Sequence, residues 1–266
     1  MLAGTLGLIA VGGTGLSYLA TSADAASAPV TAVPALDLFL LIGQSNMSGR
    51  APIERQDRRS VPRAYLLTDD PRGSWIEASN PLSRYSTVER RRAGRLGLGY
   101  TFAEALTERL PRRTLGLVVN PRGGTGIDEW APRGYLLSEA VRRARIAARF
   151  GTFRGVLWHE GESSAADPDF LPKLTAIIKY LRGALANPRL PVVAGQLYAG
   201  RGAPQERTEF NDRLATLPET VPYTAVVSAE GLSAGDHTHL DSRSQRILGR
   251  RFAAAWLNLV SRPSRG

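Results

Sequence analysis

The sequence has no cysteine among its 266 residues. Disulfide bonds and thiolate metal sites are therefore excluded, as is a lipid anchor on an N-terminal cysteine. Lysine is scarce as well. Only Lys173 and Lys179 occur among 34 basic residues, so the other 32 are arginines, and the net charge is +10. Aromatic residues make up 7% of the chain, too few to accompany scattered arginines as stacking partners, so we do not expect nucleic acid as a partner.

Histidine is also rare, with three in the chain: His159, His237 and His239. The segment from Asp236 to Asp241 could supply zinc ligands together with His159. However, the two rings of a His-x-His pair point to opposite sides of an extended chain, and no other segment rich in histidine or cysteine completes the set. We therefore expect no metal and no other cofactor, and a metallohydrolase is the weaker alternative.

Long apolar runs are confined to the N-terminus, where Leu2 to Ala20 contain no charged side chain. Ala23-Asp24-Ala25 then offers small residues at a possible cleavage site, which predicts a secretory signal peptide and export. The segment lacks the usual basic start, so an uncleaved N-terminal membrane anchor is the alternative. After cleavage we expect no stable membrane span. The predicted organisation is a signal peptide at 1–25, a linker at 26–35, one domain at 36–260 and a tail at 261–266.

Strand and helix patterns alternate five times between residues 36 and 260. The strands are short apolar runs without polar alternation, which is typical of a parallel sheet covered by helices on both faces. Residues 48–97 read as irregular because they contain four prolines. We predict a doubly wound sheet of five parallel strands, with strands at 36–42, 114–119, 155–158, 191–197 and 223–228, and helices at 99–110, 136–149, 169–186, 206–216 and 242–259.

The polar and glycine-rich motifs of the chain all follow predicted strands. The carboxyl ends of parallel strands lie at one edge of the sheet, where open α/β folds bind their ligands. Four separate segments are therefore expected to meet in a single site. They are Gly43-Gln-Ser45, Gly123-Gly-Thr-Gly126, Glu160-Gly-Glu162 and Asp236-His-Thr-His239.

Ser45 is the candidate nucleophile of this site. A serine in such a turn is often only a helix N-cap, and Met47 stands where the nucleophile elbow of α/β-hydrolases has glycine. What Ser45 needs is a base, and His239 can act as one if Asp236 orients its ring. His237 is expected to face solvent or to play a supporting part.

The glycine-rich segment 123–126 lacks the spacing and the lysine of a phosphate-binding loop. Because glycine lets the backbone approach a substrate closely, a backbone N–H group here could stabilise an oxyanion. A simple tight turn is the alternative.

Together the four motifs resemble those of the SGNH-type carbohydrate esterases, in particular the sialate O-acetylesterase and acetylxylan esterase family (carbohydrate esterase family six). The resemblance covers residues 36–257, nearly the whole expected domain. It implies a three-layer α/β/α sandwich of the flavodoxin-like type and a serine–histidine–aspartate triad without a metal. The implied reaction is the removal of acetyl groups from an acetylated glycan.

The family's roles map onto single positions of this sequence. The resemblance implies that Ser45 is the nucleophile, His239 the base and Asp236 its orienting acid. The expected oxyanion donors are the N–H groups of Ser45 and of the glycine turn, with Gly124 preferred to Gly123. The positions implied for oxyanion or substrate binding are Gln44, Gly123, Gly124, Glu160 and Glu162.

One position departs from the family pattern. The family usually reads Trp-x-Gln-Gly-Glu, and here Glu160 replaces the glutamine. An ionised carboxylate cannot donate a hydrogen bond, and the loss of one oxyanion donor typically costs about 10²–10³ in rate. Glu160 is therefore protonated, or turned to another role, or the activity is weak. Ser164 also replaces a common aspartate.

The function predicted from these residues is a secreted serine esterase that removes O-acetyl groups from carbohydrate. The alternative is a weakly active or non-catalytic carbohydrate-binding relative, which Glu160 would explain. Neither the particular glycan nor the oligomeric state can be read from the sequence.

Overall fold

The computed structural model describes residues 33–89 and 95–261. The predicted signal peptide at 1–25, most of the linker at 26–35 and nearly all of the tail at 261–266 lie outside these residues.

The described residues form a sheet of seven strands in the order β3-β2-β4-β1-β5-β6-β7. All neighbouring pairs are parallel except β2 and β3, which are antiparallel. The strands are β1 (Leu36–Gly43), β2 (Ala64–Leu67), β3 (Trp75–Glu77), β4 (Leu115–Val119), β5 (Gly151–His159), β6 (Val192–Gly195) and β7 (Thr224–Val227). The helices are α1 (Ser45–Ser48), α2 (Gly99–Arg109), α3 (Tyr135–Ala147), α4 (Phe170–Ala184), α5 (Glu206–Ala215), α6 (Leu217–Thr220) and α7 (Ser242–Ser261).

The central strand β1 is buried along its whole length, and its side chains alternate between two cores. Leu38 and Leu40 belong to the core that includes residues of α3 and α4. Phe39 and Leu41 belong to the core on the other face, which includes residues of α2 and α7. The ring of Phe39 lies 5.1 Å from the ring of Trp256, edge to face. The result is a three-layer α/β/α arrangement. Within the described ranges, no helix combines the length and apolar character required to cross a membrane.

The prediction of five strands was wrong, because the described sheet has seven. The two additional strands, β2 and β3, lie in the segment 48–97 that the sequence pattern marked as irregular. They have only four and three residues, lie among prolines and charged side chains, and are not set apart by the helix patterns that separate the other strands. The expectation of a wholly parallel sheet was also wrong, since β3 returns antiparallel beside β2.

The site is positioned by the central strands of the sheet. β1 lies between β4 and β5, where the strand order diverges to the two sides. The ends of β1 and β5 approach so closely that a Cβ atom on Gly43 would lie 2.0 Å from the carbonyl oxygen of His159. Only glycine fits there, and its φ of +135° would also strain other residues. The chain can therefore turn sharply out of the sheet at Gly43 and present Ser45.

Candidate active site

Ser45 is the first residue of α1, a four-residue helix that follows the turn at Gly43. Gln44, rather than Ser45, occupies the N-cap position, and it makes no capping hydrogen bond through its side chain. The hydroxyl of Ser45 therefore does not cap the helix, which was the alternative role considered for it. Only 7% of the residue is exposed, and its hydroxyl lies at the wall of a cleft.

The structure brings the three predicted triad residues into one hydrogen-bonded chain. His239 Nε2 lies 3.0 Å from Ser45 Oγ. On the other side of the ring, His239 Nδ1 lies 2.7 Å from Asp236 Oδ2. With Nδ1–H donating to the carboxylate, Nε2 is the nitrogen that can accept the serine proton.

Asp236 is held in the charged form that this arrangement requires. Partial burial on its own would raise the pKa of the Asp236 carboxyl, but hydrogen bonds from the ring of His239 and from two backbone N–H groups bring that pKa below its usual value. The backbone donors are His239 N–H at 2.7 Å and Thr238 N–H at 3.2 Å, both to Oδ1. The carboxylate therefore organises the turn as well as the ring.

The segment that carries Asp236 and His239 is fixed from two sides. Asn46, next to Ser45, donates to the carbonyl oxygen of Thr238 at 3.0 Å and accepts from the N–H of Leu240 at 3.0 Å. Arg207, a buried residue of α5, donates to the carbonyl oxygen of His237 at 2.8 Å and to Thr238 Oγ1 at 3.0 Å. His237 itself is exposed, as expected. These contacts set the position of the His239 ring relative to Ser45.

Glu162, which follows β5, holds the turn that carries Ser45. Its Oε2 accepts a hydrogen bond from Gln44 Nε2, and its Oε1 accepts one from Asn46 Nδ2 at 2.6 Å. Only 4% of its side chain is exposed. The side chain of Gln44 also lies 3.4 Å from the hydroxyl of Ser163, which donates to its Oε1. The two residues that flank Ser45 are thus both held by one carboxylate.

The two candidate oxyanion donors of the glycine turn, the N–H groups of Gly123 and Gly124, have different surroundings. The N–H of Gly123 donates to Glu89 Oε2 at 3.1 Å. The N–H of Gly124 has no acceptor within the part of the chain that the structure describes. Gly124 also has φ of +75°, in the left-handed region that favours glycine, and a Cβ atom there would meet nothing within 4 Å. The geometry therefore favours Gly124 as the oxyanion donor.

Glu160 is placed differently from the other predicted positions. It is 0% exposed and does not line the cleft. Neither carboxyl oxygen has a hydrogen-bond partner among the described residues. Burial raises the pKa of the Glu160 carboxyl well above its usual value, and the nearby carboxylate of Glu162 adds to the shift. Its neighbour His159 is also buried, and burial lowers the pKa of that ring.

The cleft beside Ser45 has a volume of about 550 Å³. Among the described residues, its lining is polar or glycine throughout, with no aliphatic side chain and no Phe, Tyr or Trp. The lining residues are Gln44, Ser45, Arg50, Glu89, Gly123, Gly124, Glu162, Ser163, Arg207, Thr238 and His239.

The zinc alternative is not supported by the position of His239. Both of its ring nitrogens are engaged, one by Asp236 and the other by Ser45. Within residues 33–89 and 95–261, no group of three or more histidine, aspartate or glutamate side chains is arranged to hold a metal ion.

Several residues of the site were not assigned from the sequence. Asn46 was part of a recognised motif, so its position beside Ser45 could have drawn attention to it. Arg50 and Glu89 come from two different loops and Arg207 comes from a helix, and none of these segments has a distinguishing local pattern. Only the fold brings them to the cleft.

Comparison with known proteins gives one family match. A family described as "carbohydrate esterase, sialic acid-specific acetylesterase" matches residues 35–258. A protein of Arabidopsis thaliana named as a probable carbohydrate esterase is 28% identical over 246 residues, which cover 85% of this chain and 92% of the relative.

Solved structures show the same similarity. The crystal structure of the Arabidopsis thaliana protein aligns with a TM-score of 0.71, covering 85% of this chain and 99% of that one. A carbohydrate acetylesterase from Xanthomonas citri is 18% identical with a TM-score of 0.63, covering 84% of this chain and 56% of that one. NanS is 14% identical with a TM-score of 0.68, and the alignment covers 87% of this chain and 99% of NanS. At these two lower identities the likeness concerns the fold alone.

Proposed function

The chain belongs to the carbohydrate esterase family of sialic acid-specific acetylesterases and is therefore a carboxylic ester hydrolase. We propose that it removes acetyl groups from carbohydrate hydroxyls through an acyl-enzyme on Ser45. The observation that carries the proposal is the continuous hydrogen-bonded chain from Ser45 through His239 to Asp236, with distances of 3.0 and 2.7 Å. A serine hydroxyl needs such a base to become a nucleophile at neutral pH.

In the acylation step, Ser45 Oγ attacks the carbonyl carbon of the acetyl group while His239 Nε2 takes the serine proton. Asp236 stabilises the resulting imidazolium. The negative charge that develops on the carbonyl oxygen is stabilised by the N–H groups of Ser45 and Gly124. When the tetrahedral intermediate collapses, the C–O bond to the sugar breaks and His239 returns the proton to the leaving sugar oxygen.

In the deacylation step, water attacks the acetyl group on Ser45 and gives its proton to His239. The bond from the acetyl carbon to Ser45 Oγ then breaks, and the serine recovers the proton from His239 as acetate leaves. Because the ring is held by Asp236 on one side and its segment by Asn46 and Arg207, the same base serves both steps without rearrangement.

The cleft favours a carbohydrate over a lipid or an aromatic ester. Its described lining has no aliphatic side chain to receive an acyl chain. Hydroxyl groups of a sugar can instead pair with the carboxylates, the amide and the guanidinium groups around Ser45. An acetyl group is also short enough to need no apolar channel.

Glu160 is compatible with this chemistry as a neutral acid. Its unpartnered, fully buried carboxyl and its raised pKa favour the protonated form. A protonated carboxyl does not repel the developing oxyanion, which removes the main objection to activity.

The test is acetate release from a panel of O-acetylated polysaccharides and from p-nitrophenyl acetate. We expect wild-type protein to release acetate and Ser45→Ala to reduce the rate by about 10⁴-fold or more, since the loss of a triad residue typically removes that much. Ser138→Ala, an exposed serine on α3, is the matched control and should behave as wild type. Full activity in Ser45→Ala would exclude the proposed nucleophile.

We also propose that residues 1–25 direct export and are then removed. The proposal rests on the charge-free apolar segment from Leu2 to Ala20 and on Ala23-Asp24-Ala25. Mass spectrometry of the protein recovered from the culture medium should find the mature N-terminus just after Ala25. A membrane-bound form that retains Met1 would favour the anchor instead.

A further inference from the structure

Two charged residues on the wall of the cleft have no part in the mechanism above. Arg50 follows α1, and Glu89 comes from the loop before α2. Both line the same cleft as Ser45 and His239. Their side chains are 21% and 8% exposed, so the pair is largely shielded from bulk water.

The contacts hold the carboxylate more firmly than the guanidinium. Glu89 Oε2 accepts hydrogen bonds from Ser48 Oγ at 2.8 Å and from the N–H of Gly123 at 3.1 Å. The bonds donated by Arg50 are all long: 3.4 Å to Glu89 Oε2, 3.5 Å to Ser48 Oγ and 3.3 Å to the carbonyl oxygen of Gly49. Since good hydrogen bonds of this kind are near 2.9 Å, Arg50 can turn an N–H group towards a ligand at little cost.

Such a pair matches the hydroxyl groups of a sugar ring. A carboxylate only accepts hydrogen bonds and a guanidinium only donates them, whereas a hydroxyl does both. Two neighbouring hydroxyls can therefore be held together, one donating to Glu89 and the other accepting from Arg50. Bonds to charged groups are also the stronger ones.

The remainder of the lining makes these polar contacts more important. The part of the cleft that the structure describes presents no Phe, Tyr or Trp on which a sugar ring could stack. Orientation of the substrate must then come from hydrogen bonds. Arg50 and Glu89 offer a donor and an acceptor side by side, at the glycine turn expected to bind the oxyanion.

We propose that Arg50 and Glu89 bind free hydroxyls next to the acetylated position, so that partly acetylated sugars are preferred to fully acetylated ones. The proposal rests on the carbohydrate esterase function above. It makes the two residues determinants of specificity rather than of the chemical step, which Ser45 and His239 perform.

The experiment compares kcat/KM for two probes in wild type, Glu89→Gln and Arg50→Met. One probe is a methyl xyloside with a single acetyl group and two free hydroxyls, and the other is its triacetate, which has none. We expect the ratio of the two kcat/KM values to favour the monoacetate in wild type. Each variant should lower that ratio by about 10-fold or more, because a site built to bind a hydroxyl loses much when one partner is removed. Glu219→Gln, an exposed carboxylate on α6, should leave the ratio as in wild type.

A ratio that stays unchanged in both variants would overturn the proposal, whether neither probe is affected or both lose kcat/KM equally. Binding of the monoacetate to Ser45→Ala by calorimetry, with and without Glu89→Gln, gives a second reading that does not depend on turnover. Binding weakened by the second substitution supports the subsite. If wild type hydrolyses p-nitrophenyl acetate but releases no acetate from these probes or from the panel of O-acetylated polysaccharides, the carbohydrate function fails too. If it hydrolyses both sugar probes without preference, only the subsite fails.

Discussion

Glu160 and Glu162 stand two residues apart at the end of the same strand, yet their surroundings are opposite. Glu162 is almost fully buried and accepts hydrogen bonds from Gln44 and Asn46. Glu160 is fully buried, and neither of its oxygens has a partner among the described residues. A buried carboxyl is stable in its charged form only when donors surround it. The comparison therefore assigns an ionised acceptor to one position and a neutral acid to the other.

The two glutamates that follow β5 therefore have different roles. Glu162 accepts hydrogen bonds from both neighbours of Ser45, so it positions Ser45 through them. Glu160 favours the neutral, protonated form, since burial raises its pKa. The carboxylate of Glu162 adds to the effect of burial in favouring this neutral form. The same substitution at the two positions, glutamate to glutamine, separates the two roles.

Glu162→Gln should have the larger effect on activity. The amide keeps one accepting oxygen but places an NH₂ group against the donors of Gln44 or Asn46, so one buried contact becomes repulsive. We expect kcat to fall by about 10²-fold, because small displacements of reacting groups have effects of this size. The measurement is the steady-state hydrolysis of p-nitrophenyl acetate.

The thermal unfolding of Glu162→Gln supplies its control. A loss of about 1–3 kcal/mol in stability is expected from an unsatisfied buried donor, which should leave the protein folded at 25 °C. A folded variant with wild-type kcat would show that the carboxylate of Glu162 does not position the serine.

The sequence indicated which strand ends form the site because five of the strands are apolar runs that alternate with helix patterns along the chain. It did not reveal β2 (Ala64–Leu67) and β3 (Trp75–Glu77), because no helix pattern separates them from β1 or from each other and both lie among prolines and charged residues. Similarly, Ser45, His239 and Asp236 could be found because each follows a strand. Glu89 and Arg207 could not, since a loop glutamate or a helical arginine looks the same locally whether it faces solvent or a cleft. The contrast between Glu160 and Glu162 also required the fold, because hydrogen-bond partners 116–118 residues away decide it.

Glu160→Gln should change the dependence of stability on pH. The folded-state pKa of Glu160 lies above its unfolded value, which is near 4.5. Its contribution to stability is therefore fully present below pH 4.5 and is lost as pH rises towards the folded-state pKa. The loss amounts to at most about 1.4 kcal/mol per pH unit. Glutamine does not titrate, so the variant lacks this term.

The measurement is urea unfolding of wild type and Glu160→Gln at several pH values from 4.5 to 8. We expect the stability of the variant, relative to wild type, to rise with pH until the folded-state pKa of Glu160 is reached. His159 and the other titrating groups are common to both proteins, so their effects cancel in the difference. A difference that is flat with pH would mean that Glu160 is not held neutral in the folded protein.

The smallest effect is expected on the activity of Glu160→Gln. Glutamine has nearly the shape of the neutral acid and the same lack of charge, and this position does not line the cleft, so the field at the developing oxyanion should change little. We expect kcat/KM for an acetylated sugar to stay within about threefold of wild type, under 1 kcal/mol in the barrier, or to rise. Glu162→Gln is the matched comparison, since it makes the same change two residues further along. A 10²-fold loss in Glu160→Gln would mean that its carboxyl group itself takes part in catalysis, and the assignment of charge to Glu162 alone would fail.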